Sequence, residues 1–227
     1  KNMKAQFFKV ISLLLLAILL ISCSRVAGHG MPVVRDQLIF NDQRFALTRD
    51  YSRVHYGIDD CRLDVPRMIV VHYTAIPTLE ETLKFFNPTI LFREDIKSGG
   101  DVNVSAHYLI DKNGDIIRLA PDDIICRHII GFNHIAIGIE NIAAEKDELT
   151  AAQLVADALL INDLYKRYPT IEYLIGHHEY QDKSLPHFAL HRELDPSYKP
   201  TVKIDPGDIY MKMLRELLLR EYGINLK

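Results

Sequence analysis

Several things are missing from this 227-residue sequence, and each absence closes off a class of function. There is no basic domain and no lysine–arginine cluster; 27 basic side chains face 30 acidic ones, for a formal charge of −3. A nucleic-acid partner would leave a basic footprint, so none is expected. No repeat or low-complexity run occurs, and 48% hydrophobic with 25% charged residues is ordinary for a globular domain. Neither an HExxH helix nor a CxxC pair is present, so local spacing alone points to no metal site. Cysteine is scarce at three, and tryptophan is absent. The longest apolar run, Val10 to Ile21, is too short for a membrane span, which needs about 20 residues.

That short run does fit an export signal. Lys1, Lys4 and Lys9 form a positive region before it, and "LISC" (Leu20 to Cys23) follows in the manner of a bacterial lipoprotein box. Because Cys23 falls at the end of the apolar run, we read it as the lipidated first residue of the mature chain rather than a chance cysteine after an ordinary signal. The expected division is residues 1–22 as signal peptide, 23–35 as tether and 36–227 as one domain with an N-terminal extension. The protein is then exported and membrane-anchored through lipid, on the periplasmic side. Ser24 after the cysteine resembles outer-membrane sorting. Cys61 and Cys126 remain, either paired as an exported protein allows or as buried free thiols.

Within the domain, residues 36–66 are irregular, polar and aromatic, and read as an extension laid over the rest. "MIVVHYT" (68–74) is a buried strand. "TLEETLKFF" (78–86) has Thr78 and Glu81 at capping-box spacing and Leu79, Leu83 and Phe86 on one face. "SGGDVN" (98–103) is a loop, and Asn113-Gly114 inside 105–120 marks a hairpin. "HIAIGIENI" (134–142) is a strand. Residues 149–168 form a helix with Leu154, Val155, Ala158, Leu159 and Tyr165 inward. A strand at 171–180 and an irregular stretch at 181–206 precede a last helix at 208–222, with Ile209, Met213, Leu217 and Leu218 as its core face. Strands and helices intermix, so the fold class is α/β, a central mixed β-sheet flanked by α-helices.

Ten histidines is a high count. His29 lies in the tether, and His55, His187 and His191 lie in polar stretches and are expected in solvent. His72 ends an otherwise apolar strand, where an imidazole needs a partner or a metal. His177 stands where "YLIG" leaves its strand. Two imidazoles and a carboxylate would complete the three protein ligands of a catalytic zinc site. Asp205 is a candidate for the carboxylate. Lys203, two residues before it on an extended segment, points the same way. The alternative for that pair is a surface salt bridge of little energetic weight.

"IVVHYTA", "SAHYLIDKNGDI", "IGIENI", "IGHHEY" and "KIDPG" resemble, in order, motifs of the zinc-dependent N-acetylmuramoyl-L-alanine amidases, whose fold is shared with the peptidoglycan recognition proteins. The resemblance runs from about residue 68 to 210. It implies one Zn2+ held by His72, His177 and Asp205, with His178 as the competitor of His177. It implies Glu140 as general base and Lys203 beside the scissile carbonyl. Ala106 stands where another branch carries a tyrosine, which puts the chain with the glutamate users. Arg127 stands where some relatives have tryptophan, and the stretch from His177 to Lys203 is longer than in compact members. The implied reaction cuts the amide between N-acetylmuramic acid and L-alanine, with peptidoglycan or muropeptides as partner and a monomeric chain. The competing class is a non-catalytic peptidoglycan-binding lipoprotein of the same fold.

Overall fold

The computed structural model describes Val33–Lys227; the signal peptide, most of the tether and Cys23 lie outside the described residues. Six strands form one sheet: β1 (Val34–Asp36), β2 (Met68–Tyr73), β3 (Tyr108–Ile110), β4 (Ile116–Arg118), β5 (Ala136–Asn141) and β6 (Tyr173–Gly176). Their order is β1-β4-β3-β5-β2-β6. Only β3 and β4 pair antiparallel, around the expected Asn113-Gly114 turn; every other pairing is parallel. The central β2 is the apolar run anticipated from sequence, and a strand buried on both faces needs that composition. Ile69 and Val71 enter one core, while Met68 and Val70 enter a second core on the opposite face.

Among the described residues there are four α-helices: α1 (Asp42–Tyr56), α2 (Leu79–Phe86), α3 (Ala151–Arg167) and α4 (Asp208–Tyr222). Thr78 caps α2 by accepting from the Glu81 amide, and a full capping box of Thr150 and Gln153 opens α3. Helices α3 and α4 join the core that holds Ile69 and Val71, so they cover that face. The other face carries the second core and, by the same alternation along β2, the His72 side chain. Among the described residues no helix is long and apolar enough to cross a membrane.

The structure corrects the sequence reading in four places. Residues 42–56 are a regular helix, not an irregular extension; Asn41 caps it and Gly57 ends it in the left-handed region. Its buried positions, Arg44, Thr48, Tyr51, Ser52, His55 and Tyr56, keep helical spacing but are polar or aromatic, so no apolar period showed. The buried side of α4 is Tyr210, Met211, Leu214, Leu217 and Leu218, while Ile209 and Met213 are exposed. On α3 the inward residues are Gln153, Ala156, Asp157, Ala158, Leu160, Ile161, Asn162 and Leu164, and Tyr165 is exposed. A polar contact lies between the two buried faces, the Tyr210 hydroxyl donating to Asp157 at 2.7 Å, which apolar periodicity does not register. Finally, His55 and His187 are buried rather than solvated. His55 lies between the Glu193 carboxylate (2.7 Å) and the Gly99 carbonyl (3.1 Å), partners remote in sequence. Cys61 and Cys126 are both free. The 98–103 loop starts inside a 3-10 turn, Glu94–Gly99.

Candidate active site

The parallel strands β2, β5 and β6 end on the same side of the sheet, a usual place for a site in an open sheet of this kind. His72 is the fifth residue of β2, and Glu140 of β5 is its direct cross-strand partner. Strand β6 stops at Gly176, and a 3-10 turn, His177–Glu179, carries the next residue inward. The extended segment before α4 brings the fourth side chain. Along it Val202 and Ile204 are 88% and 66% exposed, while Lys203 and Asp205 turn inward, as a two-residue period requires.

Three polar atoms meet at one point. Nδ1 of His72 lies 2.9 Å from Nδ1 of His177 and 3.2 Å from Oδ2 of Asp205, and the last two are 3.0 Å apart. Among the described residues these three form the group suited to hold a metal ion. The donor set suits zinc: two nitrogens and one oxygen, with about 2.0–2.2 Å bonds in a tetrahedron, would be separated by little more than these distances. Burial together with the neighbouring His72 holds the His177 imidazole down at about 4, so it is neutral near pH 7, as a metal ligand must be. Burial alone would raise the Asp205 carboxyl, but His177, bonded to it at 3.0 Å, outweighs burial and holds it well below the usual carboxylate range.

His178 does not join them. Its Nδ1 lies 3.1 Å from the Asp205 carbonyl and its Nε2 2.9 Å from Oδ1 of Asp208. The backbone N–H of His178 also donates to that carbonyl, at 2.9 Å. His178 therefore anchors the segment that carries Asp205. A side chain at Gly176 would put its Cβ 2.6 Å from the His178 ring, so glycine is needed there.

A cavity of about 640 Å³ lies over the cluster, bordered by Glu140, Lys203, Tyr198 and Phe85. Oε2 of Glu140 is buried without a hydrogen-bond partner. Burial, reinforced by the charge of Asp205 and opposed by His72 and Lys203, pushes its carboxyl up to about 7. Lys203 makes no ion pair with Asp205, so the surface salt bridge does not form; its charge instead acts on Glu140 and His177. Arg127 is buried beneath the rim. Its guanidinium donates to the carbonyls of Ile96, Gly100 and Val102 and to the Tyr198 hydroxyl, so it braces the wall of the cavity, which it also lines.

Sequence reasoning passed over His128, whose Nδ1 lies 3.0 Å from Nε2 of His72. It sits in an irregular stretch with no periodic or motif signal, and only the fold brings it to β2.

The model of the N-acetylmuramoyl-L-alanine amidase family matches residues 62–208, which include the five residues expected at the metal and catalytic site. The chain belongs to the N-acetylmuramoyl-L-alanine amidase family. Its mixed sheet flanked by helices is the amidase fold. Staphylococcus aureus hydrolase AmiA, solved with its ligand, is similar over 86% of this chain and 88% of its own, with 14% identity and a TM-score of 0.52. A selenomethionine AmpD derivative is similar over 85% of this chain and 97% of its own, with 22% identity and a TM-score of 0.51. No curated protein matches the sequence. At such identities the structures bear on the fold of this amidase family member.

Proposed function

We propose that the protein is a zinc-dependent amidase that hydrolyses the bond between N-acetylmuramic acid and L-alanine in peptidoglycan or its fragments. The observation that carries this reading is the meeting of His72, His177 and Asp205 within 3.2 Å of one another, beneath a cavity that also holds an unpartnered oxygen of Glu140. When bound, zinc supplies a Lewis acid for the amide carbonyl and lowers the pKa of water to about 7. His72, His177 and Asp205 would hold one such ion. Glu140, whose pKa is poised at about 7, takes a proton from the attacking water and returns it to the leaving amine. Lys203 directs its ammonium to the carbonyl oxygen as negative charge builds there. Exposed Val202 and Ile204 flank that ammonium and border the cavity, offering apolar contact to a substrate lying across it.

Export and lipidation at Cys23, with the domain on the periplasmic side of a bacterial membrane, complete the proposal and rest on the sequence of residues 1–24. Metal analysis and hydrolysis of a muropeptide test the enzyme reading together. Wild type should carry one zinc and release the peptide stem, and the His72→Ala, His177→Ala double variant should do neither. Full zinc in that variant would overturn the ligand assignment. Wild type that binds zinc and muropeptide without cleaving it would make the protein a receptor of the same fold.

A further inference from the structure

His128 contacts one of the metal-ligand candidates without being one itself, and its two ring nitrogens have different partners. Nε2 lies 3.4 Å from the Ala136 carbonyl, and Nδ1 lies 3.0 Å from Nε2 of His72. A carbonyl oxygen only accepts, so Nε2 of His128 carries the proton. A neutral imidazole has one N–H, which leaves Nδ1 of His128 as an acceptor. Nε2 of His72 must then donate to it. The remaining nitrogen of His72, Nδ1, is left bare, and it is the one that faces His177 and Asp205.

We propose that His128 is a positioning residue: with the Ala136 carbonyl behind it, it fixes the tautomer and ring plane of His72 so that Nδ1 is presented to a divalent metal ion. This rests on the metal-centre reading above and adds a residue to it. Outer partners of this kind raise the basicity of a ligating histidine and hold its orientation. The surroundings are built for the contact. The His72 and His128 rings meet edge to face, with centroids 5.1 Å apart at 84°. A Cβ on Gly138 would stand 2.8 Å from the His128 ring, so β5 leaves an open slot where the imidazole lies. Oδ1 of Asn133 accepts from the backbone N–H of His128 (2.9 Å) and of Ile129 (2.8 Å), and its Nδ2 donates to the Tyr51 hydroxyl at 3.0 Å. An apolar ring would fill the slot equally well but would leave Nε2 of His72 unpaired in a residue only 1% exposed.

The test uses zinc affinity, measured by competition with a chromogenic chelator, and nitrogen-15 NMR of the histidine rings. His128→Phe should weaken zinc binding by about 10- to 100-fold. His128→Asn should recover most of that loss, because the asparagine Oδ1 accepts where Nδ1 does. Wild type should show the His128 proton on Nε2 and a bare Nδ1, in both the metal-free and the zinc-loaded protein. A proton on Nδ1 of His128 would overturn the proposal, as would a folded His128→Phe with wild-type zinc affinity. If His128→Phe does not fold, the NMR of the wild type decides. Wild type that takes up no zinc at all would overturn the metal-centre reading and this proposal with it, and is distinguishable from both other failures.

Discussion

Replacing Glu140 with glutamine should make the metal-free protein more stable and the loaded protein inactive. One carboxylate oxygen of Glu140 is buried without a partner, and the folded protein raises its pKa from 4.5 to about 7. At about 1.4 kcal/mol per pKa unit that difference is worth about 3 kcal/mol. The sign follows from which state holds the proton. The folded pKa is the higher one, so between pH 4.5 and about 7 the folded protein keeps a proton that the unfolded chain has released. The stabilisation is complete below the unfolded pKa and disappears as pH rises through the folded one. Glutamine resembles the protonated acid and does not titrate. Urea unfolding in the presence of a chelator should therefore show Glu140→Gln gaining about 3 kcal/mol on the wild type between about pH 4 and about pH 8. The same variant should keep its zinc and lose turnover by about 10² to 10⁴, the usual loss for a general base. Stability curves that run parallel across this range would refute the buried-carboxylate argument, and near-normal turnover would refute the role of base.

Four other outcomes are expected. Asp205→Ala should lose zinc and turnover together, while Lys203→Ala should keep zinc and lose turnover by about 10² to 10³; equal zinc loss in the two would show that Lys203 acts on the metal rather than on the carbonyl. His178→Ala should retain zinc under conditions where His177→Ala does not, since His178 contacts the Asp205 carbonyl and Asp208, as metal analysis of the pair will report. Burial raises Asp157 to about 7, against the opposing bonds from Tyr210 and Asn141. Stability should fall by up to about 4 kcal/mol as pH rises from about 4 through 7, and Asp157→Asn should flatten that slope in pH-dependent denaturation. Nη2 of Arg44 donates to the carbonyls of Phe86, Asn87 and Pro88 at the end of α2. Arg44→Met should cost about 3 kcal/mol, and a change below about 1 kcal/mol in thermal or urea unfolding would show that solvent replaces it freely.

How much was legible in the sequence depended on the kind of signal each element carries. The strand "MIVVHYT", the capped helix after Thr78, the Asn113-Gly114 hairpin and the last helix at 208–222 appear in the structure close to where their local chemistry puts them. Each rests on a pattern contained within a few residues: an apolar run, a cap, a turn dipeptide, a helical period. Helix α1 escaped because its inward residues are polar or aromatic, and the faces of α3 and α4 were misread because Gln153, Asp157, Asn162 and Tyr210 are among their inward residues, Asp157 and Tyr210 bonding across the helix pair. A polar contact between distant residues has no period to read.

The site divides in the same way. The sequence by itself determined that His72 and His177 stand at the ends of buried strands, where an imidazole must find a partner, and that Lys203 and Asp205 share one side of an extended segment. It left His177 and His178 as rivals, because adjacent residues differ only in the direction their side chains take. Tertiary structure decided that His177 turns into the cluster while His178 is held by the Asp205 carbonyl. It alone set Glu140 opposite His72, through the parallel register of β2 and β5, and brought His128 against Nε2 of His72 across 56 residues of chain. The physical reason is common to all of these. Local sequence sets which way a backbone runs and which side a residue takes, but which donor meets which acceptor depends on strand order and register, and those follow from burial of the whole sheet at once.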